Sequence, residues 1–242
     1  MESHEKQLSP EELEIARLRR ELNDATKELE SFAYAVSHDL RGPTRTILGY
    51  ASILKEDYAA VLDSAAMDSL DRQVMAARRI EALVADVLKY SRMSRREPVR
   101  VDFDLSRLAE GVANEVRNRG WKVPVTFEIE PGLTANADPD LMRMVLDNLF
   151  DNAVKFSGPT GSATVQFGAD GGGYFVRDRG VGFDMQFSNK LFVPFERLHR
   201  PDAFPGTGLG LAGVRKIIAR HNGQTWAEGT VDGGATFRFR LG

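Results

Sequence analysis

Apolar residues recur at alternating intervals of three and four along the first third of the chain, which contains few helix breakers. This heptad pattern predicts a long helix with a narrow apolar stripe flanked by charge. An isolated helix would leave such a stripe in water, so we expect a partner helix from a second copy of the chain. The stripe consists of Ile15, Leu18, Leu22, Ala25, Leu29, Phe32 and Val36.

The apolar spacing continues beyond Pro43, at Ile47, Leu54 and Val61. Proline removes one backbone hydrogen bond, so we expect a bend at this point rather than the end of the helix. A second helix is predicted from about Met67 to Met93. Two long helices with a short connection form a hairpin, and two hairpins from two chains form a four-helix bundle.

The pattern changes after Pro98, where glycine becomes frequent and strand-like apolar runs alternate with helical patterns. This alternation predicts a mixed α/β layer architecture. The segment 192–208, rich in proline, glycine and charge, predicts a mobile loop. The predicted strands are Val123–Ile129, Ala163–Phe167, Tyr174–Arg177, Gln224–Glu228 and Ala235–Leu241, and the predicted helices are Leu105–Arg119, Pro139–Phe156 and Leu209–His221.

Composition narrows the classes of function. The 242 residues include 32 Lys and Arg against 35 Asp and Glu, and the formal net charge is -3. This balance creates no general field for nucleic acid or anionic membrane, so bound phosphate needs a local site. With no cysteine, disulfides, thiolate nucleophiles and cysteine metal sites are excluded. No apolar run spans a bilayer, and we expect a cytoplasmic protein without direct membrane insertion.

The helix predicted at 139–156 carries a polar stripe of Asn148, Asp151, Asn152 and Lys155 when wound at about 100° per residue. A solvated outer face would explain the stripe, although asparagine is a poor residue inside a helix. The alternative is a wall facing a ligand. Amide oxygens suit Mg²⁺, Lys155 suits a phosphate, and the Phe156 ring suits a base or sugar.

The segment DRGVG begins at Asp178, the expected end of a strand, and contains Gly180 and Gly182. A plain turn would account for these glycines, which also permit close approach of the backbone to a flat ligand. A buried carboxylate at a strand end accepts a hydrogen bond from an exocyclic amine, such as that of adenine. Both interpretations remain open from these residues alone.

Three glycines, Gly206, Gly208 and Gly210, lead directly into the last predicted helix. Such a segment exposes unpaired N–H groups at the positive end of a helix, an arrangement that favours phosphate. A flexible loop before an ordinary helix is the simpler alternative. No G-K-[ST] follows, so the segment is not a P-loop.

His38 lies two positions after the stripe residue Val36, so its imidazole should face water. Exposed histidines are commonly inert surface residues. The adjacent Asp39 is placed to hold the ring or take its proton, and neutral imidazole is a good nucleophile near neutral pH. These details favour a nucleophile.

Five segments together resemble the H, N, G1, F and G2 boxes of sensor histidine kinases, in the family's order and spacing. They are SHDLRGP, NLFDNAVKF, DRGVG, LFVPFERL and GTGLGL. FAYAVSHDLR and PFERLHRPDAFPGTGLGLA resemble the phytochrome-like and PAS-linked branch. The resemblance implies an α+β chain: a coiled-coil linker helix over 1–28, a dimerisation and phosphotransfer hairpin over 29–96, and a GHKL-type ATP-binding α/β sandwich over 97–242.

The resemblance also implies residue roles. His38 would be the phosphoacceptor assisted by Asp39, Asn152 the Mg²⁺ ligand, and Asp178 the carboxylate that reads adenine. The other residues implied at the ATP site are Asn148, Lys155, Phe156, Gly180, Gly182, Phe195, Gly206, Thr207, Gly208, Leu209 and Gly210. The residues implied to anchor or border the ATP lid are Phe192, Pro194, Phe195, Arg197 and Arg200.

The implied reaction is autophosphorylation of His38 from Mg-ATP, after the linker Arg96–Val99 lets one domain swing onto the other. The phosphoryl group would pass to an Asp of a separate response regulator, and an upstream sensory domain or sensor protein would supply the signal. The alternative is a catalytically weak nucleotide-binding dimeric scaffold. Gyrase-like and chaperone-like ATPases carry a general-base Glu where this chain has Asn148, so ATP should persist here until a histidine arrives.

One position departs from the family pattern. Many members have Thr or Asn four residues after the histidine, where the side chain orients water for dephosphorylating the receiver. This chain has Gly42, which offers neither a hydroxyl nor an amide. We therefore expect weak phosphatase activity.

Overall fold

The computed structural model describes residues 9–93, 97–199, 204 and 206–242, without the side chains of 10–13, 15, 16, 19, 22, 23, 26, 27, 29, 30, 32, 33 and 92. The chain divides into two compact units, Met1–Arg92 and Met93–Gly242. The helical hairpin and the α/β sandwich predicted from the sequence are both present.

The first unit consists of helices α1 (Pro10–Asp57) and α2 (Ser64–Arg92). Helix α1 continues through Pro43, as predicted, but its expected extension to Val61 is wrong. Val61 lies in the connecting turn, 81% exposed, and its N–H donates to the carbonyl of Tyr58 at 3.0 Å. An apolar residue at the helical spacing does not by itself distinguish one more helical turn from an exposed loop.

Within one chain, the hairpin buries small side chains of α1 against α2. Ser37, Thr44 and Ala51, spaced by seven residues, are all nearly inaccessible. The buried positions of α2 include Leu70, Ala77 and Val84, also spaced by seven. This repeat is the coiled-coil spacing, and small residues on one helix allow close approach of the other.

The apolar stripe of α1 remains largely uncovered in the single chain. Val36, Ile47 and Leu54 are between 39% and 47% exposed, and Leu18 is 54% exposed. An apolar stripe of this length in water favours a second helical surface against it. The predicted stripe positions whose side chains lie outside the described residues are Ile15, Leu22, Leu29 and Phe32.

The second unit alternates strands and helices. Two short 3-10 helices, Gly158–Thr160 and Met185–Lys190, interrupt its loops. The main elements in chain order are β1 (Val101–Asp104), α3 (Leu105–Arg117), β2 (Val125–Ile129), β3 (Thr134–Ala137), α4 (Pro139–Ser157), β4 (Ala163–Asp170), β5 (Gly173–Asp178), α5 (Gly210–Arg220), β6 (Gln224–Thr230) and β7 (Gly234–Arg240).

Five of the strands form one sheet in the order β2, β4, β5, β7, β6, while β1 and β3 form a separate antiparallel pair. Strands β2 and β4 run parallel, and the other neighbours are antiparallel. The sequence analysis missed β1 and β3 because VDFD and TANA are short and carry few apolar residues. Helix α5 begins at Gly210, one residue later than predicted.

The core lies between one face of this sheet and the helices. Helix α4 contacts α3, α5 and the central strands, and its Leu146, Leu149 and Phe150 are almost completely buried. Each such side chain contributes roughly 1.5–3 kcal/mol on burial. Asp138 caps the helix by accepting hydrogen bonds from the N–H groups of Asp140 and Leu141. This burial fixes the rotation of α4, and with it the direction of its polar side chains.

Candidate functional site

The polar side of α4 divides between two neighbours. Arg119, just beyond α3, donates to Asp151 Oδ1 at 2.7 Å and also to Asp147. Burial is the largest single influence on the pKa of the guanidinium and lowers it. The hydrogen bonds and charges of the two carboxylates together outweigh burial, so the pKa is raised. The sequence analysis grouped Asp151 with the asparagines, but its carboxylate pairs with Arg119 just beyond α3. The polar side chains left toward α5 are Asn148, Asn152 and Lys155.

The two asparagines lie against the first residue of α5. A Cβ atom added at Gly210 would lie 3.0 Å from Asn148 Oδ1 and 3.9 Å from Asn152 Nδ2. Asn148 Nδ2 donates to the Met144 carbonyl at 2.7 Å, which leaves its Oδ1 toward α5. In the described part of the chain, no side chain caps the N-terminus of α5. The amide oxygen of Asn148 and the amide nitrogen of Asn152 therefore lie beside an uncapped, electropositive helix end.

Lys155 brings a positive charge to the same place. Its Nζ donates to Asn152 Oδ1 at 2.9 Å and lies 4.5 Å from the centroid of the Phe156 ring. A Cβ atom at Gly206 would be 3.4 Å from Nζ. The loop backbone before α5 thus passes close to the ammonium group, a suitable arrangement for holding a phosphate between them.

Asp178 ends strand β5 and is 4% exposed. Burial raises the pKa of its carboxyl to about 6, against the opposing effect of hydrogen bonds from the N–H groups of Gly180 and Ala235. Both bonds, at 2.8 and 3.3 Å, go to Oδ1. Oδ2 accepts no hydrogen bond from the described residues and is available to another donor.

The glycines after Asp178 allow the loop to approach the protein itself. A Cβ atom at Gly180 would lie 2.4 Å from the carbonyl oxygen of Phe156, and one at Gly182 would lie 1.9 Å from that of Thr230. The N–H of Val181 donates to the Phe156 carbonyl at 3.1 Å. The loop is thereby held against the end of α4 at Phe156, and Asp178 is joined to this loop through the N–H of Gly180. The sequence analysis expected these glycines to let the backbone approach a ligand. In the structure they let it approach the backbone at Phe156 and Thr230.

The segments PFERL and GTGLG are joined backbone to backbone. Phe195 has φ of 66°, and its N–H donates to the Gly208 carbonyl at 3.1 Å. Arg197 Nη1 donates to the Gly206 carbonyl at 2.6 Å. Phe192 is buried and anchors the start of the segment, whereas Phe195 is 60% exposed. This loop therefore borders the same glycines that adjoin Lys155 and Asn148.

The remaining lid residues are placed less directly. Thr207 Oγ1 accepts a hydrogen bond from the N–H of Leu209 at 3.4 Å, immediately before α5. Leu209 is buried, and Pro194 is half-buried. Arg200 lies outside the described residues. Strands and helices are absent from the described residues between 191 and 209, and the expected mobility of this loop remains a prediction.

Sequence reasoning missed an aromatic cluster formed by Phe156, His199 and Phe204. The Phe156 ring lies 5.2 Å from that of His199 and 4.7 Å from that of Phe204, between centroids. His199 Nε2 lies 3.0 Å from the Gly182 carbonyl oxygen and donates to it. The signal was present in LHRPDAFPG, where a histidine and a phenylalanine stand in a polar loop.

The first unit presents His38 to solvent. The imidazole is 72% exposed, as predicted, and Nδ1 lies 3.2 Å from Oδ1 of Asp39. With the hydrogen on Nδ1 directed at this carboxylate, the lone pair of Nε2 is available outward. Six residues later, Thr44 Oγ1 donates to the Leu40 carbonyl at 2.6 Å, in a helix where Pro43 has no backbone N–H to donate.

The helical hairpin thus presents an imidazole to solvent, and the sandwich gathers amides, a lysine, a buried carboxylate and a helix end. This combination is the one expected from the resemblance to histidine kinases. The family models agree. Residues 28–96 match the His Kinase A (phospho-acceptor) domain, and residues 137–242 match the histidine kinase-, DNA gyrase B- and HSP90-like ATPase. The chain belongs to the sensor histidine kinases.

The similar proteins include phytochromes, as the sequence indicated, and other sensor kinases. The chain is 32% identical over 231 residues to the phytochrome-like protein Cph1 of Synechocystis sp., covering 94% of this chain and 31% of that protein. It is 29% identical to the adaptive-response sensory kinase SasA of Synechococcus elongatus, covering 91% and 61% respectively. The chain spans about a third of the length of the phytochromes that it matches.

Two solved structures share the fold. Full-length ShkA in complex with AMPPNP matches with a TM-score of 0.60 and 25% identity, over 86% of this chain and 45% of that one. The histidine kinase AdeS of Acinetobacter baumannii matches with a TM-score of 0.53 at 22% identity, over 84% of this chain and 96% of that one, and supports the fold alone. Among the described helices, none combines the length and apolarity that crossing a membrane requires.

Proposed function

We propose that this chain is the catalytic core of a two-component sensor histidine kinase that transfers the γ-phosphoryl group of Mg-ATP to His38. One observation carries the proposal: Asn148, Asn152 and Lys155 converge on the uncapped start of α5. The cation and the free N–H groups suit the phosphates of a nucleotide, and amide oxygens suit the Mg²⁺ that accompanies them.

The nucleotide fits this arrangement from base to phosphate. The exocyclic amine of adenine donates to Oδ2 of Asp178, and the phosphates lie between Lys155 and the N-terminus of α5. The half-buried Phe156 borders the nucleoside, while Phe195 and the glycines of GTGLG border the lid. AMPPNP, present in the ShkA complex, is a nucleotide of this class.

Magnesium would be held by Asn152. The described residues contain no group of three or more histidines and carboxylates arranged to hold a metal ion. Mg²⁺ is commonly bound by few protein oxygens together with substrate phosphates and water. Asn152 Oδ1, which now accepts from Lys155, supplies one such oxygen. The ion would neutralise charge on the phosphates, and Lys155 would turn to the phosphate when Asn152 binds the metal.

His38 performs the transfer through Nε2. Its lone pair forms the N–P bond in line, while the bond from the γ-phosphorus to the bridging oxygen breaks and ADP leaves. Asp39 holds Nδ1–H and stabilises the positive charge that develops on the ring. Asn148 cannot take a proton from water, so the site lacks the general base that hydrolysis needs.

The family match over 28–96 implies dimerisation, and we propose a homodimer built on the hairpin. The division into a linker helix at 1–28, a hairpin at 29–96 and a catalytic domain at 97–242 remains part of this proposal. The phosphoryl group then passes to an Asp of a separate response-regulator receiver domain, and an upstream sensory domain or sensor protein controls the transfer. We further propose a cytoplasmic location.

Incubation with γ-labelled ATP and Mg²⁺ tests the proposal. We expect acid-labile label on the protein, lost in His38→Ala and on removal of Mg²⁺ by a chelator. The matched control is His4→Ala, which removes another of the four histidines and should retain the label. Binding of AMPPNP without any label would favour the scaffold alternative, and absence of nucleotide binding would overturn both.

A further inference from the structure

Strand β6 has an outer edge that no strand covers within the described residues, because it ends the sheet and pairs only with β7. Gly229 faces Ala235 across this pair. The N–H of Ala235 donates away from β6 to Asp178, and that of Gly229 donates away from β7 to Sδ of Met185. Gly229 and Ala235 are therefore a non-hydrogen-bonded pair.

Hydrogen-bonded and non-hydrogen-bonded pairs alternate along two antiparallel strands, so every second residue of β6 is also in a non-hydrogen-bonded pair. Ala227 and Thr225 stand two and four residues before Gly229, so their N–H and C=O groups also point outward. The 3-10 helix at Met185–Lys190 contacts the outer edge at Gly229. Ala227 is only 7% exposed, so the open part of the edge lies at Thr225. The unpaired backbone groups of Thr225 are a template for another strand.

A groove of about 570 Å³ adjoins this edge, with helix α5 as its opposite wall. We name it the β6 edge groove. Thr225 Oγ1 is buried and has no hydrogen-bond partner among the described residues. The groove is lined by Arg215, Ala219, Gly223, Gln224, Thr225, Trp226 and Arg240.

Two guanidinium groups give the groove its charge. Arg215 is exposed and makes no ion pair with any described carboxylate. Arg240 is also exposed, and Nη2 donates only to the neutral Gln224 Oε1, at 3.2 Å. Arg238, on the same strand, is by contrast paired with Asp170 and Glu228. The groove thus carries positive charge without a counter-charge, although the whole chain is slightly acidic.

We propose that the β6 edge groove binds an extended acidic peptide segment of a partner protein, which joins the sheet as a sixth strand beside β6. Backbone hydrogen bonds to Thr225 would hold the segment, and its carboxylates would pair with Arg215 and Arg240. Trp226, 40% exposed, offers an apolar surface beside these charges. None of these residues belongs to the proposed nucleotide site.

The probe is a synthetic peptide, acetyl-Val-Glu-Val-Glu-Val-amide, added to the full chain. We expect slower amide hydrogen exchange at Thr225, and affinity that falls as salt rises. Arg215→Ala and Arg240→Ala should each weaken binding at least about fivefold, consistent with loss of a charge-assisted hydrogen bond. Arg177→Ala is the matched control, because Arg177 is an exposed arginine of the same sheet outside the groove.

A second variant tests the strand pairing itself. Thr225→Pro removes an outward N–H without breaking the pairing with β7, and should abolish binding while AMPPNP binding shows that the domain is folded. Three outcomes would overturn the proposal: unchanged exchange with the peptide, equal binding of the lysine analogue acetyl-Val-Lys-Val-Lys-Val-amide, or protection that appears with protein concentration alone, which would assign the edge to a second copy. Tighter binding of an oligothymidylate, lost in Arg215→Ala, would also overturn it.

Discussion

At the scale of single residues, Asp178 combines a structural cost with a proposed role. Its folded-state pKa of about 6 exceeds the ordinary value of 3.8. The folded state therefore holds a proton that the unfolded state releases between these pH values, so this group destabilises the fold as pH rises through that window. Above pH 6 the full penalty is present, on the order of 3 kcal/mol.

We predict that Asp178→Asn raises the free energy of unfolding at pH 8 and weakens ATP binding, because the ionised carboxylate is the stronger acceptor. The gain in stability should shrink as pH falls from 6 to 4. Urea unfolding and calorimetric titration at several pH values measure both quantities. ATP affinity should fall below pH 6 in the unchanged chain more steeply than in the variant; parallel profiles would contradict the assignment.

Gly182 and Gly171 have similar backbone conformations, but only Gly182 is also in a crowded position. Both have positive φ, 57° and 52°, but a Cβ atom meets the Thr230 carbonyl at Gly182 and nothing within 4 Å at Gly171. We predict that Gly171→Ala costs only about 1–2 kcal/mol of conformational strain. Gly182→Ala should cost about 1–3 kcal/mol more from the collision. Equal losses in urea unfolding would show that the collision relaxes without cost.

At the scale of elements, the stripe on α1 requires a partner surface. We predict that Ile47→Lys combined with Leu54→Lys converts the dimer to monomer, because charge would be buried in an apolar interface. Light scattering after size-exclusion chromatography measures the mass. Thr46→Lys is the control, since it introduces the same side chain at an exposed polar position one residue away. A dimer that survives both stripe substitutions would place the interface elsewhere.

Sequence periodicity predicted the long elements well and the short ones poorly. Helix α4 was recognisable because Leu146, Leu149 and Phe150 share a face that burial requires. Its polar side was only partly predictable, since the turn of Asp151 toward Arg119 depends on a contact between residues far apart in sequence. The same limit hid the contact of Phe204 with Phe156. Strands β1 and β3 were not predicted because they are stabilised by pairing with each other and contain no apolar run.

At the scale of the whole molecule, the linker between the two units is attached to the second one. The N–H of Val99 donates to Asp138 Oδ2 at 3.0 Å, and Arg100 Nη1 donates to the Gly242 carbonyl at 2.6 Å. The linker was predicted to extend from Arg96 to Val99, and Arg96 lies outside the described residues. The proposed swing of one domain onto the other therefore begins before Val99.

The balance between kinase and phosphatase also belongs to this scale. We predict that the chain does not accelerate loss of phosphate from its phosphorylated receiver, because Gly42 cannot orient water. Gly42→Thr should introduce acceleration, because it supplies a hydroxyl at a position where a Cβ atom meets nothing within 4 Å. Gly49→Thr is a control at an equally open helical position seven residues on. Faster decay with the unchanged chain would show that another group directs the water.

The aromatic cluster has a thermodynamic implication for purine recognition. Phe204 and His199 already shield the Phe156 ring. A base that arrives beside this ring would exchange one planar neighbour for another, so little fresh hydrocarbon would leave water and the heat-capacity change of binding would be small. Discrimination among bases would then depend on the carboxylate of Asp178 at the end of β5. The loop that carries His199 and Phe204 would compete with the nucleoside for the surface of the Phe156 ring.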